Sequence, residues 1–319
     1  MRFHRAGAGF LLAVTLALPV RAAEAPKEGP APAPVQVLFP PDLTFSNEPN
    51  LKIFAFRPAK GGPVVPVVNG KANPPLEGEA FLKGEISLSP GFNLLQVGEK
   101  PVRIFLLEGN RMDTFLLPSG KEGENLVFRS YRLHPALDDG CEVCHSMNDG
   151  KLASKDQKEA CYACHNDFSR AEEGKKAYVH APVASGECTG CHDPHFATRP
   201  KLQKLEKGCL ECHDPSPQEG SVHRPVGNGE CVSCHGPHAG PAPKQLVRPG
   251  NALCLGCHKE VHARHRSSVV LGALTRVPDD FPKEGGQLAC TGCHTPHQSP
   301  HAKLFRQPQA DLCRVCHLV

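Results

Sequence analysis

All sixteen cysteines of this chain belong to Cys-x-x-Cys-His units, eight in number, with none left over. The pairs are Cys141/Cys144, Cys161/Cys164, Cys188/Cys191, Cys209/Cys212, Cys231/Cys234, Cys254/Cys257, Cys290/Cys293 and Cys313/Cys316. The histidines that follow them are His145, His165, His192, His213, His235, His258, His294 and His317. Two cysteines three residues apart on one turn present both sulfurs to the same edge of a porphyrin, where they form thioethers with its vinyl groups. The next residue then swings beneath the ring and offers an imidazole nitrogen to the iron. A structural zinc site has no reason to place histidine after every second cysteine, and a disulfide framework needs no histidine at all. The pattern therefore reads as eight covalently bound haem c groups, with the sixteen cysteines as thioether donors and the eight motif histidines as proximal ligands.

This pattern limits what residues 131–319 can fold into. The chain has no tryptophan, and few large aliphatic side chains separate the motifs. Eight porphyrins supply the apolar mass that the polypeptide lacks, so the expected fold is a haem-packed domain of short helices and loops with little regular sheet.

The motifs repeat as doublets. First cysteines within a doublet are 20, 21, 23 and 23 residues apart, whereas successive doublets are separated by gaps of 27, 22 and 36. Repeats two and three are nearly one peptide, "VHAPVASGECTGCHDPH" and "VHRPVGNGECVSCHGPH"; repeat four keeps "CTGCHTPH" and repeat one keeps "LHPALDDGCEVCH". Each repeat thus carries up to two further histidines. One set lies upstream of the doublet (His134, His180, His223 and, from the shared "VH", His262), and the other in the His-x-Pro-His tail (His195, His238, His297). Three residues cannot carry a chain around the edge of a porphyrin, so His195 cannot serve the iron that His192 holds. It is expected to reach a neighbouring haem. These seven histidines are the expected distal ligands. Repeat one has Asn148 where the tail histidine should stand, and His265 and His301 are the spare histidines available for the remaining iron. The mature methionines are Met112 and Met147, so mostly bis-histidine haems of low potential are expected.

The N-terminal third differs. Residues 1–22 have a basic start, an apolar run and a small-residue cleavage site, as in a secretory signal peptide. Residues 23–34 are a Pro/Ala-rich linker. Residues 35–130 contain no cysteine and several short β-type runs, among them "LKIFAFRP" and "VRIFLLEG", bounded by Gly, Pro and Asn. They read as an antiparallel β-sandwich with Asn69-Gly70 as a two-residue hairpin turn. No segment after Ala22 is apolar and long enough to span a bilayer.

From Asn69-Gly70 through Gly91-Phe92-Asn93 the chain resembles bacterial immunoglobulin-like modules, in which a Gly-x-Asn turn precedes a final apolar strand. Residues 131–319 resemble multihaem c-type cytochromes with doubled Cys-x-x-Cys-His motifs, including periplasmic donors to nitrite reduction and porin-associated decahaem cytochromes. The resemblance implies electron transfer in anaerobic or extracellular respiration, not catalysis. Its partners would be redox proteins: an inner-membrane or periplasmic donor, and a terminal reductase or outer-membrane porin-cytochrome conduit. Export to the periplasm, an outer-membrane association or the cell surface is expected. Two other readings stay open, an octahaem reductase of a nitrogen or sulfur oxyanion with one open iron, and a subunit of a surface cytochrome filament. Three of the charges behind the formal +3 are Arg2, Arg5 and Arg21 of the leader. Eight oxidised haems with ionised propionates would bring the mature protein to about −8, a charge that steers partner encounters. Lys and Arg are spread along the chain, which argues against nucleic-acid binding.

Overall fold

Two asparagines organise the turns of the N-terminal region. In the computed structural model, which describes residues 34–58, 60–109, 112–148, 151–168, 176–214, 220–259, 277–284 and 287–317, Asn69 and Gly70 both have positive φ (51° and 80°). They join β4 (Val67–Val68) to β5 (Lys71–Ala72) with Val68 opposite Lys71, the two-residue hairpin that Asn-Gly favours. Asn93 is fully buried. Its Oδ1 accepts from Ser89 N–H (2.9 Å) and Asn69 Nδ2 (3.0 Å), while its Nδ2 donates to the Ser89 and Gly91 carbonyls. Asn69 Oδ1 in turn accepts from Leu94 N–H. One polar network thus locks both turns, and the buried amide at its centre is fully satisfied.

The strands form two sheets. β1 (Gln36–Phe39), β3 (Asn50–Phe56) and β6 (Phe81–Ser87) make a three-stranded antiparallel sheet in the order β1-β3-β6. The other has seven strands in the order β5-β4-β7-β8-β2-β10-β9, with β2 Thr44–Ser46, β7 Gly91–Gln96, β8 Val102–Leu106, β9 Thr114–Pro118 and β10 Asn125–Arg129. Alternation in β8 buries Val102, Ile104 and Leu106. These join Val68 and Leu95 of the same sheet and Ile53, Ala55, Leu82 and Ile86 of the smaller one in a single core. Two expectations need correction. The larger sheet is not wholly antiparallel, because β2 pairs parallel with both β8 and β10. This follows from the chain leaving the smaller sheet after β1 and entering the larger one between strands that arrive later. Gly91-Phe92-Asn93 also opens β7 rather than preceding a final strand, since β8, β9 and β10 follow it.

After residue 131 the character changes. Among the described residues, the buried apolar side chains there are Ala197 and Ala242 alone. Regular structure consists of short helical turns and two-residue ladders. Three ladders join successive repeats: β11 (Arg132–Leu133) with β15 (Phe196–Ala197), β14 (Tyr178–Val179) with β17 (Ala239–Gly240), and β16 (Ser221–Val222) with β18 (Gln298–Ser299). Repeat one has instead its own hairpin, β12 (His145–Asn148) and β13 (Lys151–Ser154).

The two regions touch at the first motif. Lys52 Nζ contacts both carboxylate oxygens of Asp138 (2.6 and 2.8 Å), and Lys83 Nζ donates to the Asp138 carbonyl (3.1 Å). Phe39 packs on Phe196, and Phe81 lies 6.1 Å from the His145 ring.

Candidate functional site

Each motif is a turn of helix. Cys141–Val143, Cys188–Gly190 and Cys231–Ser233 are single 3-10 turns, while Gln157–Tyr162, Gly250–Leu255 and Gln309–Arg314 are short α-helices that carry the first cysteine of their motifs. The motif histidine N–H donates to the carbonyl of the first cysteine in seven of the eight motifs, from His165→Cys161 (2.9 Å) to His317→Cys313 (3.0 Å), with His145 the exception. That bond closes the turn and sets the imidazole on one side of the two sulfurs.

The polypeptide does not enclose the sixteen sulfurs alike. Cys164, Cys212 and Cys257, the second cysteines of the second motif in repeats one to three, are exposed, as are Cys191, Cys209 and Cys313; the other ten are half-buried. The expected role of Cys164, Cys212 and Cys257 as thioether donors therefore draws no support from burial, because the chain alone builds no pocket around them. What the structure does give them is a fixed backbone. Their N–H groups donate to the carbonyls of Cys161 (3.2 Å), Cys209 (3.3 Å) and Cys254 (3.2 Å), the same turn that holds the half-buried Cys144 and Cys234. Motif position alone does not set the cover, since Cys191 of a first motif is exposed as well while Cys161 and Cys254 of second motifs are half-buried.

The upstream histidines are placed by "VHxPV". Val179 ends a strand, His180 stands in extended conformation at the helix N-cap (φ −67°, ψ 137°), and Pro182 enters the first turn of Ala181–Ser185. His223 repeats this before Arg224–Gly227. The tail histidines are clasped to them through the backbone across repeats: His134 N–H donates to His195 O (2.8 Å), His180 to His238 O (2.9 Å) and His223 to His297 O (2.9 Å).

The clasps set the rings in a regular pattern. His145 faces His195 at 5.9 Å between ring centres, His192 faces His238 at 5.9 Å, and His235 faces His297 at 5.9 Å. His134 faces His165 at 6.0 Å, His180 faces His213 at 5.9 Å, and His223 faces His258 at 6.1 Å. So each tail histidine stands opposite the first motif histidine of the preceding repeat. Each described upstream histidine stands opposite the second motif histidine of its own repeat. The spacing is informative. With metal–nitrogen bonds of about 2 Å and ring centres about 1 Å beyond, two imidazoles on opposite faces of one metal stand about 6 Å apart. A donor set of two cysteines and two opposed imidazoles, recurring at that width, fits covalent haem. It does not fit zinc, since no group of three or more His, Cys, Asp or Glu that could hold a metal ion occurs among the described residues.

Protonation agrees. Burial lowers the pKa of His134, His145, His238 and His297, and the facing histidine lowers it further, so these rings are neutral at physiological pH and free to bind metal. Burial pushes the Cys161 and Cys254 thiols up to about 11, helped by Cys188 and Cys290 respectively. These sulfurs are thiols at neutral pH.

The sulfurs also lie in order. Cys161 shares a side-chain hydrogen bond with Cys188, Cys209 with Cys231, and Cys254 with Cys290. Between these, Cys144 is within electrostatic reach of Cys161, Cys191 of Cys209, Cys234 of both Cys254 and Cys257, and Cys316 of Cys293. The sulfurs of consecutive motifs thus interact electrostatically from first to eighth.

The pairing bears on the position of Asn148. Asn148 does not leave repeat one short of a ring, because His145 faces His195 of repeat two. A tail histidine in repeat one would answer a preceding repeat, and no Cys-x-x-Cys-His unit precedes Cys141. His301 faces no described ring, and its N–H donates to Ser299 Oγ (3.0 Å). His262 and His265 lie outside the described residues. Sequence reasoning also missed a hydrogen bond to the motif histidines. His192, His235 and His294 have Nδ1 at 2.8, 2.8 and 2.9 Å from the carbonyls of Lys201, Lys244 and Lys303, each nine residues on. The signal was the recurring Lys at that offset.

Three segments, 180–218, 223–263 and 282–318, match the family model of the doubled CXXCH motif; they hold six of the eight motifs. A search of curated proteins found no match. The matches support a multihaem c-type cytochrome over these segments, which indicates electron transfer, and haem attachment of that type implies export from the cytoplasm. No helix among the described residues is long and apolar enough to cross a membrane.

Proposed function

We propose that all eight motifs carry haem c and that the chain conducts electrons along the motifs in sequence order. The observation that carries this reading is the recurring separation of about 6 Å between facing imidazoles, the width that one metal between them requires. On this reading the axial pairs are His145/His195, His165/His134, His192/His238, His213/His180, His235/His297 and His258/His223. His294 and His317 are the proximal ligands of the last two haems, with His262 and His265 as their distal candidates. Bound haem supplies a one-electron iron couple, which two imidazoles hold at low potential.

The chain's own residues do the rest. Paired cysteines fix each ring covalently, including the exposed Cys164, Cys212 and Cys257, and the upstream and tail histidines fix its tilt. The cross-repeat clasps hold haems of neighbouring repeats in register. The near-contact of Cys161 with Cys188, Cys209 with Cys231 and Cys254 with Cys290 supports close approach of haems between repeats as well as within them. The scarcity of buried apolar side chains after residue 131 supports the porphyrins as the core of that region.

The N-terminal unit is proposed as an immunoglobulin-like module, on its two sheets around one core, and it covers the first-motif end. The setting is proposed to be anaerobic or extracellular respiration, in the periplasm or at the cell surface. Electrons would come from an inner-membrane or periplasmic donor and pass to a terminal reductase or an outer-membrane conduit. The reductase reading relies on Asn148, and that position sits in the β12–β13 hairpin while His145 faces His195.

The test is stoichiometry. Intact mass of the mature, fully haem-loaded protein should exceed the polypeptide by eight haems, and a pyridine haemochrome assay should agree. Seven or fewer would refute the use of every motif.

A further inference from the structure

The first motif differs from its counterparts in how its histidine is held. In repeats two, three and four, the carbonyl that meets Nδ1 comes from a residue in the left-handed region: Lys201 (φ 56°), Lys244 (φ 61°) and Lys303 (φ 59°). The next residue is left-handed as well, Leu202, Gln245 or Leu304, at 55°, 55° and 61°. Two successive non-glycine residues in that region are unfavourable, and a strained backbone recurring three times in one role marks a constraint of function. Here the strain delivers one carbonyl oxygen to one imidazole.

Repeat one lacks this device. Its acceptor, also nine residues beyond the motif histidine, is the exposed Ser154 hydroxyl, 3.1 Å from His145 Nδ1. The return path explains the exchange. The chain comes back to the second cysteine at Lys155, whose N–H donates to Cys144 O, eleven residues on. In the other repeats Lys204, Val247 and Arg306 make the same bond to Cys191, Cys234 and Cys293, thirteen residues on. The two missing residues remove the tail histidine and the left-handed pair together. A plain hairpin remains, with Ser154 directly across from His145.

An imidazole that donates its Nδ1 proton to a good acceptor becomes a stronger ligand and favours oxidised iron. A hydroxyl at 3.1 Å is a weaker acceptor than a carbonyl at 2.8 Å. Phe81 of the N-terminal unit adds an apolar neighbour to the His145 ring, which also disfavours the more charged oxidised state. We propose that Ser154 is a positioning residue which sets the first haem at a higher potential than the haems held by His192, His235 and His294. The array is thereby polarised, with its electron sink at the end that the N-terminal unit covers. This rests on the haem-ligand reading above.

The experiment is a redox titration of the full-length haem-loaded protein, followed by visible absorbance and by the low-spin electron paramagnetic resonance signals. Ser154→Ala removes the acceptor and should raise the potential of one haem in eight. Ser154→Asn offers an amide carbonyl, as the other repeats do, and should lower the same haem. Ser154→Thr should restore the parent value. The other seven haems should not move, and all should stay six-coordinate. Unmoved potentials in both Ala and Asn variants would overturn the proposal, with the nearby Ala153 carbonyl, which also pulls on the ring, as the acceptor. A shift in the same direction in both would overturn it too, as a loss of local structure. Failure of the underlying reading shows separately, as a haem count below eight or a high-spin signal in the unaltered protein.

Discussion

Replacing His195 with Ala separates ligation of a neighbouring haem from ligation within one motif. The His195 ring faces His145 at 5.9 Å with the rings nearly parallel (12°), although it is only three residues from His192 in sequence. Alanine keeps the carbonyl that accepts from His134 N–H, and the N–H that Asp193 Oδ1 holds at 2.8 Å, so the clasp between repeats one and two survives. The side chain is 44% exposed, so its packing contributes little and the fold should lose about 1 kcal/mol or less. Local chemistry changes far more. Loss of even an outer-shell partner weakens metal sites ten- to hundredfold, and loss of a direct ligand should do at least the latter. A hundredfold loss that falls on the oxidised form alone would raise that one-electron potential by about 120 mV, at about 59 mV per tenfold. One haem should become high-spin, bind carbon monoxide when reduced, and recover a low-spin spectrum with added imidazole. A structure of the variant should show the open iron on the haem held by Cys141 and Cys144. If the open iron were on the haem of Cys188 and Cys191, or if no haem changed, the cross-repeat model would be wrong.

Two further outcomes concern the N-terminal unit. Asn93→Ala removes four hydrogen bonds from a fully buried group, so it should destabilise that unit by about 2–4 kcal/mol; thermal unfolding followed by far-ultraviolet circular dichroism would show this, with the haem spectrum retained. Arg103→Ala tests an exposed pair. Burial alone would raise the Asp42 carboxyl, but hydrogen bonds and charge from Arg103 outweigh it and hold its pKa below the ordinary carboxylate value. The folded state therefore favours the carboxylate, a contribution present above the unfolded pKa and lost as pH falls through the folded one. The variant should be less stable by under about 1 kcal/mol at neutral pH, with the difference closing as acid is added, because the pair is largely solvated.

The motifs were legible because thioether chemistry needs a fixed spacing, and a fixed spacing survives as a string. The two-residue turn was legible for the same reason, since Asn69-Gly70 names its own dihedrals. What escaped was any feature made by two distant segments. β2 holds three residues, Thr-Phe-Ser, and nothing in them announces a parallel partner on each side. The β9 and β10 hairpin, Thr114–Pro118 with Asn125–Arg129, follows the last obvious apolar run and depends on Phe115 stacking against Phe105 for its place. The histidine pairing was half legible. Geometry along the chain excludes His195 from the iron of His192, but it cannot choose among seven others. The choice is made by ladders of two residues, β11 with β15 and its two counterparts, too short to carry a pattern of their own. The uneven cover of the sulfurs escaped for the same reason, since Cys164 and Cys144 sit in identical motifs and differ only in what packs beside them.

Those ladders also give Asn148 its meaning. If every tail histidine answers the repeat before it, a first repeat needs none, and the residues that would have formed its tail are free to shorten into a hairpin. The shortened loop then loses the left-handed pair, so Ser154 must stand in for a backbone carbonyl, while Phe81 closes over the same ring. One end of the array is thus defined three times over, by a histidine it lacks, a loop it shortens and a domain that covers it. A variant that restores the longer loop, by replacing Ala153–Ser154 with the four residues of Pro200–Gln203, would lengthen it by two and return the carbonyl nine residues beyond His145 without needing Ser154. On the present reasoning it should bring the first haem down toward its counterparts while leaving His195 opposite His145. A first haem whose potential ignored that exchange would show that the loop serves only to end the repeat.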